Sequence, residues 1–258
     1  MNIYVLIKQI PVISDIKINP QTFSVDRSNT ANMMNPADLN DLEAALSLKA
    51  AQVGTVTVLS MGNESCETQL RETAAIGADR LIRITDEAFC QADTLVTAKI
   101  LAAAIRHLGE PDVIFCGQSA LDGATGQIGG KLAAMLGFGL LSSAYQIQPT
   151  DDGLTIHRKA QTGYEVWQAN FPVVCSVVEG SNKPRSVTVR GKMAAKKAVI
   201  EVLTNAELNI NEALLVSPSI VEAIFPTVKQ SEGISITGTN AADSANKLAN
   251  VLFEKNLA

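Results

Sequence analysis

Asp112-Val113-Ile114-Phe115-Cys116-Gly117-Gln118-Ser119-Ala120-Leu121-Asp122-Gly123-Ala124-Thr125-Gly126-Gln127-Ile128-Gly129-Gly130 is the stretch on which the fold turns. Its first five residues make a short, mostly apolar run of strand length. Glycines then punctuate a turn, and the pattern predicts a helix continuing to Leu136. A strand, a turn and a helix in that order form the repeating unit of parallel α/β sheets. In such sheets ligands bind beyond the carboxyl ends of the strands. Glycines let the backbone approach a phosphate, and a helix N-terminus offers free N–H groups and a favourable dipole. Thr125 and Gln127 can add side-chain hydrogen bonds. The competing reading is a plain structural turn. The stretch lacks the lysine of a Walker A loop and does not follow the first strand, which argues against an ordinary P-loop or NAD-type site.

Outward from this unit the same alternation recurs. Residues 3–10 predict a buried strand. Asn35-Pro36-Ala37-Asp38 opens a helix with proline in its first turn and apolar positions at Leu42, Ala45, Leu46 and Leu48. Thr55–Ser60 predicts a second strand and Cys66–Ile76 a helix ended by Gly77. Arg80–Ile84 predicts a third strand, and Asp93 caps a helix running to His107, which Gly109 stops. The pattern implies a Rossmann-like, doubly wound, mostly parallel α/β sheet. After residue 138 the runs Ala144–Gln148, Leu154–Lys159, Glu165–Ala169 and Val173–Val178 predict short strands, antiparallel or extending the main sheet. Residues 179–200 are polar and basic with no clear period. Beyond 203 come a short helix at Asn205–Leu208, an extended stretch over 218–238 and a last helix from about Asn240 to Glu254. The expected organisation is a nucleotide-binding domain over 1–202 and a C-terminal arm over 203–258, too poor in apolar residues to fold alone.

Composition narrows the function classes. Hydrophobic residues make up 47% of the 258 and aromatic ones only 4%, so the core is aliphatic, as suits parallel strands covered by helices. A net charge of −5 argues against a nucleic-acid binder, which needs a basic face. No apolar run approaches a membrane span, and the N-terminus reads as a strand rather than a leader; a cytoplasmic protein is expected. Cys66, Cys90, Cys116 and Cys175 are scattered, so buried thiols are expected rather than disulfides. With only His107 and His157, a histidine-based metal site is not expected. Tyr164 and Trp167 are assigned to packing. Lys8 and Ser60-Met61-Gly62 end the first two strands; each is bland alone, but parallel strands deliver these ends to one edge. A basic run spans Lys183 to Lys197. No nucleophile elbow, zinc-protease motif or paired-carboxylate motif is present, which favours a nucleotide holder over a hydrolase.

Several ordered blocks then stand out: Val5-Leu6-Ile7-Lys8-Gln9-Ile10-Pro11, Met34-Asn35-Pro36, Val58-Leu59-Ser60-Met61-Gly62, and Leu70 through Arg80. Phe171-Pro172-Val173-Val174, Asn182-Lys183-Pro184-Arg185 and Met193-Ala194-Ala195-Lys196-Lys197 follow in register. Over nearly its whole length the chain resembles the β (small) subunit of electron transfer flavoprotein. The resemblance implies an adenine-nucleotide-binding fold, a non-catalytic electron-carrier role, and a heterodimer with an FAD-carrying α subunit. That pair shuttles electrons between acyl-CoA-type dehydrogenases and a redox acceptor. In simple members the β pocket holds AMP; in electron-bifurcating members it holds a second FAD, against which NADH docks. Carried onto this chain, the pocket comprises Leu6, Lys8, Asn35, Pro36, Ala37, Asp38, Met61 and Gly62. It continues through Asp122, Gly123, Ala124, Thr125, Gly126, Gln127, Ile128, Gly129, Gly130, Lys131 and Leu132. The partner-recognition loop, 183–197, brings Arg185, Val189, Met193, Lys196 and Lys197, with Val189 where simple members place a leucine. Phe89 through Thr94 and Asp122-Gly123 are closer to the FAD-binding branch. Gln118-Ser119 and Ala124 depart from a basic-Gln pair and an acidic residue, which keeps AMP as the alternative.

Overall fold

Ile3, Tyr4 and Val5 have no solvent exposure and Leu6 almost none, the mark of a strand covered on both faces. They lie in β1 (Asn2–Leu6). The computed structural model describes residues 1–12, 17–18, 25–26, 31–90, 92–219, 222 and 233–255. After β1 come β2 (Gln9–Pro11), β3 (Lys17–Ile18), β4 (Val25–Asp26), β5 (Asn32–Met34) and α1 (Pro36–Gln52). Then follow β6 (Thr55–Met61), α2 (Glu67–Ile76), β7 (Arg80–Ile84), α3 (Thr94–Leu108), β8 (Val113–Gly117) and α4 (Ile128–Leu136). The next elements are β9 (Gly139–Ala144), β10 (Gln146–Pro149), β11 (Gly153–Ala160), β12 (Gly163–Asn170) and β13 (Val173–Val177). The last are α5 (Val189–Lys197), β14 (Ile200–Leu203), α6 (Asn205–Leu208) and α7 (Ala241–Glu254).

The main sheet has seven strands in the order β14-β7-β6-β1-β8-β13-β9, every neighbour parallel. This is the Rossmann-like α/β fold expected. The chain lays β6 and β7 on one side of β1 and then returns through α3 to place β8 on the other. The order therefore reverses beside β1, at the point where open α/β sheets bind ligands. Strand alternation splits the core in two. Ile3, Val5, Val113 and Phe115 pack with Leu42, Ala45 and Leu46 of α1. Tyr4, Leu6, Ile114 and Cys116 pack with Ile100 and Leu101 of α3 and Leu132 of α4. Helix ends follow local chemistry: the Asp93 carboxylate accepts from the Leu95 and Val96 amides at the start of α3, and Gly137, at φ +74°, ends α4.

Several expectations need correction. The strand expected over 3–10 breaks after Leu6. The Lys8 amide donates to Asp38 Oδ2 and the Lys8 carbonyl accepts from the Asn35 amide, so the chain leaves the ladder, and β2 pairs antiparallel with β5 instead. The run expected over 144–148 divides between two sheets. β9 joins the main sheet, while β10, β11 and β12 form a separate antiparallel meander. Ser143, at φ +58°, and a bulge opposite Cys175–Val177 mark the break. Tyr164 and Trp167 are 65% and 48% exposed on that meander rather than packed in a core; Arg158 lies over the Trp167 ring at 4.6 Å. All four cysteines are free, but Cys90 is exposed.

Residues 1–223 form one compact unit and 224–258 a second. β14 pairs with β7, Leu203 and Leu215 are buried, and the Asn205 amide donates to Asp86. Residues 203–219, expected in the arm, thus complete the first unit. Most of the extended stretch expected over 218–238 lies outside the described residues. The second unit carries α7, capped by Asn240, with no buried residue. No helix among the described residues is long and apolar enough to cross a membrane.

The stretch 179–200, which shows no period, contains α5. Its sequence is strongly basic and only Ala195 is buried, so no apolar stripe announces it. It is held instead by close approach. A Cβ at Gly191 would collide with the Ala75 carbonyl oxygen of α2, and Arg71 of α2 donates to the Ala195 and Ala198 carbonyls at 3.2 and 2.9 Å. Gly191→Ala is expected to force the two helices apart at a cost of about 1–3 kcal/mol. Thermal unfolding should then fall by roughly 2–4 °C per kcal/mol, with amide exchange rising across 189–197.

Candidate functional site

The β8–turn–α4 unit is fixed from below by α1. Asn35, 1% exposed, donates through Nδ2 to the Ser119 carbonyl at 3.1 Å and accepts from the Leu121 amide at 3.2 Å. The same Nδ2 donates to Asp38 Oδ1 at 2.7 Å, while the Lys8 amide reaches Asp38 Oδ2 at 2.6 Å. A Cβ at Gly117 would strike Asp38 Oδ1 and come within 3.0 Å of the Ala37 Cβ, so only glycine lets β8 pass this close to α1. Gly129 plays the matching part on the other side, where a Cβ would lie 3.1 Å from Cys116 Sγ. Within the turn, Gly126 stands at φ +61° and Ala124 at φ +49°. For alanine that backbone is strained by about 1–2 kcal/mol.

Above this platform lies a cavity of about 640 Å³. Its floor is the carboxyl ends of β1, β6 and β8, through Leu6, Leu59, Met61, Cys116 and Gly117. The turn supplies one wall, from Gln118 to Ala120 and from Gly123 to Ile128. Lys8, Asn35 and Asp38 line another. No side chain caps the N-terminus of α4, so its first amides, which a helix cannot satisfy itself, are available to an anion.

Of the pocket residues expected from the sequence, Leu6, Lys8, Asn35, Asp38, Met61 and Gly123 through Ile128 line this cavity. Others support it from behind. Pro36 opens α1, Ala37 and Leu132 are buried, and the Gly62 amide donates to the Ile84 carbonyl. Gly130 is exposed and does not line the cavity. Asp122 Oδ1 sits 2.7 Å from Lys8 Nζ. Lys131 Nζ donates to Thr94 Oγ1 and Gln127 Oε1 at 2.5 and 2.8 Å, joining the starts of α3 and α4. The expected pocket left out the α3 wall: Ala92, Asp93 and Thr94, tied to the FAD-binding branch only by resemblance, and Thr97, Leu101 and Ser219, which no sequence signal marked. The Asp93 cap was the available signal, since a capped helix start at a sheet's carboxyl edge faces the ligand crevice.

Two carboxylates meet Lys8: Asp38 of α1 accepts from its backbone amide, and Asp122 of the turn pairs with its ammonium. Asp38 is 3% exposed and Asp41 not at all. Burial pushes Asp38 up to about 7, against the pull of the Asn35 and Lys8 hydrogen bonds and the Lys8 charge. Burial, then the neighbouring Asp38, pushes Asp41 well above the ordinary carboxylate range, against the pull of the Leu42 amide. Cys116 and Cys175 are pushed up by burial and are inert as thiolates.

The residues expected at the partner surface separate. Arg185 is spent within the chain, its guanidinium bidentate on Glu43 of α1 at 2.8 Å. Val189 and Met193 are 79% and 65% exposed, and Lys196 and Lys197 are exposed as well. Their spacing along α5 places all four on one face.

The electron transfer flavoprotein domain matches residues 22–208. The electron transfer flavoprotein subunit beta of Megasphaera elsdenii is 36% identical over 268 residues, covering 100% of this chain and 98% of its own length. The caffeyl-CoA reductase-Etf complex subunit CarD of Acetobacterium woodii is 34% identical with full coverage of both chains. Protein FixA of Azorhizobium caulinodans is 32% identical over 99% of this chain and 95% of its own. With the parallel sheet, the glycine turn and the cavity at its crevice, these matches place the chain in the electron transfer flavoprotein family, among its β subunits.

Proposed function

We propose that this β subunit holds FAD in the cavity above β1 and β8. The observation that carries this reading is the uncapped start of α4 opening on a cavity of about 640 Å³. The volume lies well within the roughly 300–1,000 Å³ of cofactor sites, and a mononucleotide would leave much of it empty. The residues present fit the group. The α4 amides with Thr125 and Gln127 would hold the pyrophosphate, Lys8 would offset its charge, and Leu6, Leu59 and Met61 present apolar surface. Bound flavin would supply the redox chemistry; the chain binds, orients and excludes water. AMP is the second reading, favoured by Ala124, which leaves no acidic side chain where family members carry one. If FAD is held, the resemblance to the bifurcating branch makes NADH its docking substrate.

The reading includes an α subunit as the obligate partner and an acyl-CoA dehydrogenase-type protein as the electron-exchange partner. The exposed face of Val189, Met193, Lys196 and Lys197 on α5 is offered to that second protein. The second unit is offered to the α subunit. Leu248 and Phe253 of α7 are 48% and 66% exposed, and a helix with uncovered apolar residues lacks a core of its own. Free cysteines accord with a cytoplasmic location. A hydrolase acting through a metal is disfavoured, because no group of three or more His, Cys, Asp or Glu among the described residues is arranged to hold one.

Three outcomes test this. Acid release and mass spectrometry of the co-purified heterodimer should give two FAD; one FAD and one AMP would refute the FAD reading and leave the family assignment intact. A chain ending at Ala223 should fold yet elute apart from the α subunit on gel filtration, and co-elution would remove the arm's role. Asn35→Ala should weaken nucleotide retention by roughly tenfold or more, since it leaves the Leu121 amide and Ser119 carbonyl unpaired at about 1–3 kcal/mol each. Equilibrium dialysis measures it.

A further inference from the structure

Asp38 forms part of the cavity wall, at the foot of the turn that takes the anion. Both of its oxygens accept from fixed donors, the Lys8 amide and Asn35 Nδ2. The charged and titratable groups facing it are Lys8 and Asp122, Asp41 on its own helix and the Cys116 thiol of β8. Lys8 is the one cation among them, and its ammonium lies 2.7 Å from Asp122.

We propose that nucleotide binding in this cavity is coupled to the uptake of a proton at Asp38. The proposal rests on the nucleotide reading above. Three effects act together when an anionic ligand arrives. Its charge repels the carboxylate. Its bulk removes water from what little of the carboxylate is wetted. Its phosphates compete for Lys8, the one cation that steadies the ionised form. Each favours the protonated acid, and none opposes it. Burial already brings this group to about 7, so a modest push changes its charge at neutral pH. The proton comes from solvent, and the neutral acid gains an O–H that can donate to the ligand. The sign follows directly: a binding step that takes up a proton is favoured at low pH. Affinity therefore falls as pH rises above about 7, until the carboxyl ionises in the complex as well.

Titration calorimetry with FAD, on the full-length protein stripped of nucleotide, tests this. FAD is the probe because its pyrophosphate keeps a constant charge over the range, whereas the AMP monoester titrates near ~6. Repeating the titration in buffers of different ionisation enthalpy counts the protons. The expected result is a fractional uptake per FAD at pH 7.5 and a Kd that rises with pH, by at most about tenfold per unit. In Asp38→Asn the pH dependence between 6.5 and 8.5 should vanish. An amide there turns its NH2 toward one of the two donors, so the unmutated protein is also read by carbon NMR of labelled aspartate. One buried carboxyl titrating near 7 should move to higher pH when FAD is added. FAD binding with no proton exchanged in any buffer and a constant Kd would overturn the coupling and leave the nucleotide reading standing. Failure of both FAD and AMP to bind at any pH would overturn both.

Discussion

The hydrogen bond from the Lys8 amide to Asp38 decides where the sheet stops and the site begins. It draws the chain out of β1 one residue past the ladder, at the central strand of seven. The reciprocal bond from the Asn35 amide to the Lys8 carbonyl fixes the start of α1 at the same point. Through its side chain Asn35 then carries that position across to Ser119 and Leu121 of the turn. Three segments distant in sequence are thus tied within one small network. Asn35 and Asp38 at its centre are buried, so a missing member leaves a polar group stranded. This is a rigid base for the cavity that opens above it.

The same network explains how much was legible in advance. The central strands and their helices were readable because burial on two faces demands continuous apolar runs, as in Ile3–Leu6 and Val113–Cys116. The turn was readable because glycines punctuate it between a strand-length apolar run and a helix, and those at 117 and 129 prove to sit where the backbone passes close to α1 and to Cys116. The end of β1 was not, since nothing in the residues 3–10 announces that a carboxylate thirty residues on will capture an amide. Asp38 is the acid in the first turn of α1, a place favourable to a carboxylate, and its burial together with Asp41 depends on strands that arrive later in the chain. α5 was hidden for a different reason. It docks through a glycine gap and two carbonyl contacts to Arg71 rather than an apolar stripe, and periodicity detects only stripes. The α3 wall was hidden because the cavity joins helix starts that are far apart in sequence.

Charge around the cavity is arranged with restraint. Lys8 is paired with Asp122, and Lys131 is engaged by Thr94 and Gln127. Both are already engaged within the chain, and Lys8, which lines the cavity, can offset an anion's charge only by sharing with Asp122. The α4 start and the strained turn add dipoles that are fixed and need no side-chain ordering on binding. Ala124 at φ +49° is the visible cost of setting that backbone in advance. Strain of this kind persists only where surrounding contacts over-determine it, and here the Asn35 bonds on one side and the α4 helix on the other do so.

Such a site is suited to holding rather than reacting. Its thiols are pushed up by burial and stay protonated. Asp41 is fully buried behind Asp38 and does not line the cavity. Asp38 has both oxygens committed to positioning hydrogen bonds, so it can change charge without changing place. A group that titrates while remaining fixed alters the field felt by a ligand and leaves the geometry alone. In an electron carrier, where the ligand does the chemistry and the protein sets its surroundings, a fixed but titratable carboxyl is a more useful neighbour than a mobile catalytic one.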